Sequence, residues 1–199
     1  MSPADLLDAD ALRAALGDQL IGSRVVVLEE ATSTNDVIAQ MAGDSPEGLV
    51  VIAEQQTAGR GQYGRRWESA PAKGLWLSVL LRPQIALADS SRITDLLAGT
   101  IVATIAEAIG VAATIKPPND VYVGSRKVAG VLVEMRVEPG GNYCAIAGLG
   151  VNVNHSLEDF PLELRGTAGS LAMIAGHPID RFALGIALLR KLDASYRGE

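Results

Sequence analysis

Two periodicities run through this 199-residue chain. Short β-branched and apolar runs at 24–29, 48–54, 75–81, 121–123, 128–137 and 143–153 predict strands, several of them apolar on successive residues as in a strand covered on both faces. Between them lie segments with helical spacing. Residues 4–16 place Leu6, Leu7, Ala11, Leu12, Ala15 and Leu16 on one side and stop at Gly17, the residue that commonly terminates a helix. Thr32-Ser33-Thr34-Asn35-Asp36 has the hydroxyls and amides of a helix N-cap. Longer helices are predicted over 89–109 and over 178–196, the second with proline near its start and Leu188, Leu189 and Leu192 on one side. Gly124-Ser125-Arg126 and Pro139-Gly140-Gly141 sit between apolar runs and predict consecutive hairpins, hence antiparallel pairing. Grouped strands with helices between the groups give an α+β class: a mixed, mainly antiparallel β-sheet with helices packed on it. No repeat, low-complexity tract or polar linker divides the chain, so residues 1–199 read as one domain, with 1–22 as an N-terminal helical segment.

Composition narrows the chemistry. The 21 glycines and 9 prolines point to many turns and close backbone approaches. A single cysteine excludes an internal disulfide or a cysteine-rich zinc cluster and agrees with a reducing, cytoplasmic setting. The only histidines, His155 and His177, read as loop residues without partners, and Cys144 as a small buried strand residue. No apolar run approaches the roughly 18 residues of a membrane span, and the acidic start MSPADLLDAD lacks the basic and apolar regions of a secretory signal. The formal net charge of −6 argues against a sequence-independent nucleic-acid binder.

Against that negative total, residues 55–67 stand out. Gly59-Arg60-Gly61-Gln62-Tyr63-Gly64-Arg65-Arg66-Trp67 packs three glycines and three arginines into one short loop. Glycines let backbone N–H groups approach an anion, and guanidinium forks hold phosphate or carboxylate. The segment reads as a phosphate or adenylate loop or as a solvated arginine-glycine turn. It is not a P-loop, because no Gly-Lys-Ser/Thr follows, nor a dinucleotide fingerprint, because Arg-Arg-Trp-Glu follows instead of an apolar helix start.

Taken together, Ser33-Thr34-Asn35, that loop, Lys116-Pro117-Pro118-Asn119-Asp120, Lys127-Val128-Ala129-Gly130 and Gly148-Leu149-Gly150-Val151-Asn152-Val153 resemble, in order, the signatures of the biotin protein ligases. The resemblance extends over essentially the whole chain as that family's catalytic domain, an α+β fold of the biotin–lipoate ligase type related to class II aminoacyl-tRNA synthetases. It implies a two-step, ATP- and Mg2+-dependent reaction. Biotin is activated to biotinoyl-5′-AMP, and the biotinyl group then passes to a lysine of a biotin carboxyl carrier domain of acetyl-CoA carboxylase or a related enzyme.

The same resemblance assigns residues. Biotin would be held by Ser33, Thr34, Asn35, Gln56, Gly59, Arg60, Gly61, Gln62, Lys127, Gly130, Gly148 and Gly150, with the last three glycines leaving room beside the ring and valeryl tail. Arg65, Trp67, Lys116, Asn119, Asp120, Lys127 and Asn152 would face ATP, Trp67 stacking on adenine, while Trp76 belongs to the core. Arg60 and Lys127 would contact biotin's carboxylate and the α-phosphate, and Asp120 would orient or help deprotonate the acceptor lysine. No protein ligands for Mg2+ are implied. The arginine-glycine loop is expected to order when ligand arrives.

Two departures from the family pattern are visible. Gln62 stands where arginine is common, removing one charge, and Pro117 replaces a tryptophan beside Lys116. The resemblance further leads to the expectation of a monofunctional enzyme with no N-terminal DNA-binding domain, no C-terminal SH3-like barrel, and no nucleic-acid or membrane partner. Homodimerisation stays open. The rival readings are a lipoate or octanoyl ligase or transferase, and a non-catalytic ligand-sensing or nucleic-acid module.

Overall fold

A computed structural model describes residues 6–138 and 140–198 of the chain. Strands β1 (Arg24–Ala31), β2 (Leu49–Gln56), β3 (Gly74–Leu81), β4 (Thr114–Lys116), β5 (Asp120–Val123), β6 (Arg126–Val137) and β7 (Tyr143–Asn152) form one sheet in the order β1-β2-β3-β7-β6-β5-β4. Only β1 and β2 pair in parallel; the other neighbours are antiparallel. A parallel pair needs a crossover, and α2 (Thr34–Met41) lies on the connection between β1 and β2.

The two faces of the sheet are covered differently, and period-2 alternation sorts the side chains between them. On β2, Val50 and Ile52 join the large core, while Leu49 and Val51 join a smaller one under α2. On β7, Ala145, Ala147, Leu149 and Val151 face the large core, and Cys144 and Ile146 face the small one. Helices α1 (Ala9–Leu16), α3 (Ser91–Ile109), α4 (Leu171–Ala175) and α5 (Arg181–Arg197) close the large core with Leu12, Leu97, Ile101, Leu171, Leu188 and Leu192. The small core ends where β7 continues as Gly148, Gly150 and Asn152, and the uncovered face there is where a site has room.

Local chemistry explains the boundaries. Asp8 caps α1 by accepting from Ala11 N–H at 2.8 Å, and Gly17 at φ 72° ends it. Asp180 caps α5 in the same way through Ala183 N–H. The predicted strands and both hairpins appear within a few residues of their expected places; Pro139, and Ala4 and Asp5 of the first predicted helix, lie outside the described residues. The short β4 and α4 were not anticipated, since three and five residues carry too little periodicity. The helix predicted over 89–109 begins at Ser91, preceded by a 3-10 turn at Leu87–Asp89.

The histidine expectation needs correction. His155 is 2% exposed, stacked on Phe160 at 4.9 Å and edge-on to Trp76 at 5.6 Å. Burial pushes its pKa down to about 4, so the ring is neutral in the fold. His177 is a surface residue, but its Nδ1 lies 3.0 Å from the Pro178 carbonyl. Trp76 is buried, and Cys144 is a free, buried thiol whose pKa is raised chiefly by burial.

Candidate active site

The floor of the site is a patch on three neighbouring strands in which glycine holds three of six positions. Register places Ser78, Gly148 and Leu132 in one row across β3, β7 and β6, and Trp76, Gly150 and Gly130 in the next. Above this patch lies a cavity of about 550 Å³, large enough for a small ligand. Each sequence-predicted site residue lines it except Gly59. Gly59 acts behind the wall: a Cβ there would meet the Trp67 carbonyl oxygen at 2.6 Å.

The three floor glycines line the cavity and also make room for neighbouring protein groups. A Cβ on Gly150 would lie 2.6–2.8 Å from the Trp67 indole, one on Gly130 would lie 2.9 Å from the same ring, and one on Gly148 would lie 2.5 Å from Asn35 Oδ1. Trp67 is therefore seated flat against the strands, its ring 6.2 Å from Trp76 and 5.3 Å from Lys127 Nζ. Its Nε1 is buried without a hydrogen-bond partner among the described residues.

One end of the cavity is a buried hydrogen-bonded cluster. Ser33, Thr34 and Asn35 are each less than 5% exposed. Ser33 occupies the N-cap position of α2 but makes no side-chain capping bond. Gln56 Oε1 accepts from Thr34 N–H at 2.8 Å and from its hydroxyl at 3.2 Å, while Gln56 Nε2 donates to Ser69. Ser78 Oγ lies 2.6 Å from Asn35 Oδ1 and 2.7 Å from Thr34 Oγ1, and Asn35 Nδ2 donates to Glu134 Oε2 at 2.6 Å. Buried polar groups joined this way hold fixed directions, and their remaining donors and acceptors can read a ligand's polar pattern. Sequence reasoning missed Ser78 and Glu134. The available signals were Ser78 as the lone polar residue of GLWLSVLL and Glu134 as the only carboxylate of β6, directly after the apolar run 128–133.

The other end is cationic. Lys127 Nζ sits 2.5 Å from Asp120 Oδ1 and faces the Trp67 ring. Lys116 is exposed and lies 5.3 Å over the Tyr122 ring, so an aromatic partner supports it although Pro117 follows it in sequence. Arg65 lies 5.9 Å from the Tyr63 ring, and Arg66 pairs with Glu68 at 3.1 Å. Asn119 Nδ2 donates to the Val131 carbonyl at 2.6 Å, anchoring the 116–120 turn on β6. Asn152 donates to the Gly169 carbonyl at 3.0 Å. With Lys127 N–H bonded to Thr167 and Arg126 bonded to Ala168 and Arg165, it straps residues 160–169 along the cavity as a wall bearing Phe160 and Leu164.

Arg60 is already committed. Its guanidinium meets Asp36 Oδ2 at 2.8 Å and Glu134 Oε2 at 3.2 Å, and the bond to Asp36 leads the influences that raise its pKa. Among the described residues no three histidine, cysteine or acidic side chains cluster to hold a metal ion. Of the cavity-lining residues, Asp120 and Glu68 carry carboxylates, enough for the one or two protein carboxylates by which Mg2+ is usually held alongside phosphate oxygens.

Residues 27–152 match the model of the Biotin/lipoate A/B protein ligase family. The chain is 36% identical over 196 residues to the Bifunctional ligase/repressor BirA of Bacillus subtilis, covering 98% of this chain and 60% of that protein. It is 34% identical over 210 residues to the Biotin--[acetyl-CoA-carboxylase] ligase of Mycobacterium tuberculosis, covering 95% and 74%. The biotin protein ligase from Aquifex aeolicus, solved in complex with biotin and ATP, superposes with a TM-score of 0.76 at 29% identity, over 87% of this chain and 70% of that one. The chain thus spans about 60% of the length of the BirA relative, and no helix among its described residues is long and apolar enough to cross a membrane.

Proposed function

The chain belongs to the Biotin/lipoate A/B protein ligase family, and from that premise we propose that it is an ATP-dependent biotin protein ligase. The observation that carries the reading is the two-ended polarity of the cavity. A bicyclic ureido ring offers one carbonyl and two N–H groups, matching the cavity-lining Ser33, Thr34, Asn35 and Gln56, with Ser78 behind them holding Thr34 and Asn35 in place. The ligand's carboxylate then points toward the cationic end at Lys127 and Arg65, where ATP phosphates have their natural partners.

In the first step a biotin carboxylate oxygen attacks the α-phosphorus of ATP, the bond to the β-phosphate oxygen breaks, and pyrophosphate leaves. Two anions must be brought together, so catalysis rests on fixed positive charge at the developing phosphorane oxygens. Lys127 fills this role; its ammonium is aimed by Asp120 and the Trp67 face. Arg65 and Lys116 flank the leaving phosphates, and Trp67 offers its open face to adenine. Bound Mg2+ would neutralise phosphate charge, held alongside the phosphate oxygens by a carboxylate lining the cavity. In the second step the acceptor lysine amine attacks the acyl carbon, AMP departs, and the amine proton is lost to solvent; Asp120, in the cavity lining, orients the incoming amine. The acceptor is a carrier domain of acetyl-CoA carboxylase or a related biotin enzyme. ATP dependence and the lone free thiol of Cys144 fit a cytoplasmic setting.

Incubation with ATP, Mg2+, biotin and a carrier domain should add one biotinyl group to the carrier by mass and release pyrophosphate. Lys127→Met should lower the rate on the order of 100-fold or more. Pyrophosphate release with lipoate in place of biotin would transfer the assignment to the lipoate branch, and none with either would defeat it.

A further inference from the structure

Lys127 points into the cavity because its strand is irregular. Along the start of β6, Lys127 and Gly130 line the cavity, while the two consecutive residues between them, Val128 and Ala129, both pack in the large core. Unbroken alternation would put Lys127 on the same face as Ala129, two residues on. The ladder with β5 shows the break: Val121 faces Ala129 and its neighbour Tyr122 faces Lys127, so two residues of β5 span three of β6 and Val128 is the extra one. Such a bulge turns a side chain to the other face and leaves the ladder locally disrupted. On its other side Lys127 lies past the end of the β6–β7 ladder, whose last pair is Ala129 with Val151.

A later stretch of the chain takes the place of β7 there. Residues 167–169 run parallel beside Lys127: its N–H donates to the Thr167 carbonyl at 2.8 Å, its carbonyl accepts from Gly169 N–H at 2.9 Å, and Ala168 is its bridge partner. Arg126 fastens this stretch. Its Nη1 donates to the Ala168 carbonyl at 2.7 Å and to the Arg165 carbonyl at 3.1 Å. Glycine at 169 lets the arginine stem pass, since a Cβ there would stand 2.9 Å from Arg126 Cβ and Cδ. Arg126 itself stands outside the cavity lining, and Lys127 inside it.

We propose that Arg126 is a positioning residue for Lys127: by pinning residues 165–169 beside the bulge, it keeps the Lys127 ammonium turned into the cavity, toward the phosphate that reacts. This role rests on the biotin-ligase reading of the cavity. Misplacing a reacting group by about 1 Å can cost about 100-fold in rate. A side chain that acts through two backbone carbonyls should cost less than loss of the lysine it aims, about 10- to 30-fold in kcat.

The test measures pyrophosphate release at saturating biotin and ATP. Arg126→Met should lower kcat about 10- to 30-fold, while the Kd for biotin alone stays within about threefold. Arg126→Lys, which keeps a cationic donor for the carbonyls, should recover part of the loss. Gly169→Ala, which displaces the arginine stem and keeps the guanidinium, should reproduce part of it. Thermal melts check that each variant is folded, and if Arg126→Met is not, Gly169→Ala carries the same comparisons. The decisive one is made in Lys127→Met, where adding Arg126→Met should lower the residual rate by less than about twofold, because the group being aimed is gone. Wild-type kcat in Arg126→Met, a loss confined to KM for ATP, or an undiminished loss on top of Lys127→Met would each overturn the proposal. Without any ligand, amide hydrogen exchange at Lys127 and Gly169 should be about tenfold faster in Arg126→Met, and wild-type protection there would sink the clamp. A wild-type protein that releases no pyrophosphate would instead overturn the ligase reading, while the exchange comparison would still judge the clamp.

Discussion

Adding one methyl group at Gly150 tests whether the floor of the cavity is built as described. In Gly150→Ala the new Cβ would stand 2.6 Å from Trp67 Cε2 and 2.8 Å from both Cζ2 and Nε1. Ordinary contact is about 3.5–4.0 Å, so the indole must lift by roughly 1 Å. It cannot tilt aside freely, because the same ring rests over Gly130 and meets Trp76 and Lys127. The free direction is upward into the cavity. Overpacking of this kind costs about 1–3 kcal/mol. Where that cost falls on binding, affinity for a ligand on Trp67 drops roughly 5- to 150-fold at about 1.4 kcal/mol per decade. Calorimetric titration with biotin and with ATP, alongside a denaturant melt, would apportion the cost between binding and stability. Gly166→Ala is the control, since its Cβ would meet nothing within 4 Å. Wild-type affinities and stability in Gly150→Ala would show that Trp67 is not seated on the strand, and the account of the floor would fail.

Two further outcomes follow from the same structure. Ser78→Ala removes the hydroxyl between Thr34 and Asn35 and leaves Asn35 Oδ1 short of a donor in a buried site; a loss of about 1–3 kcal/mol should appear mainly as a raised KM for biotin with kcat little changed, and an unchanged KM would remove Ser78 from the recognition cluster. His155 has its pKa depressed to about 4 by burial, so the unfolded chain binds its proton first. Stability should therefore be complete above about pH 6.5 and fall as pH drops toward 4, by a maximum on the order of 3 kcal/mol. His155→Phe, which keeps a ring against Phe160, should flatten the pH dependence of Tm in that window, and a slope equal to the wild type's would place the titration elsewhere.

Much of the architecture and of the candidate site was legible before any contact was known. Runs such as LVVIAEQQ and GLWLSVLL, short, apolar on successive residues and in part β-branched, suit strands covered on both faces. Gly17 ends a helix, and Gly124, at φ 57°, turns a hairpin that few other residues would turn. The motif residues, too, nearly all converge on one cavity. These are local facts, carried by spacing and by the conformational freedom of single residues.

Tertiary structure decided what the residues do to one another. Gly130, Gly148 and Gly150 line the cavity, and they also admit Trp67 and Asn35, whose approach depends on the register of β6 against β7. Ser78 and Glu134 bear no motif; they matter because they lie 43 and 99 residues from Asn35 in sequence and within hydrogen-bond distance of it in space. His155 seemed a loop residue until Trp76 and Phe160 enclosed it, and Arg60 seemed a free cation until Asp36 and Glu134 were seen to hold it. Charge state, partner and direction are set by neighbours that chain order does not record, so the sequence by itself determined which groups gather, and only the fold decided which of them remain free to meet a ligand.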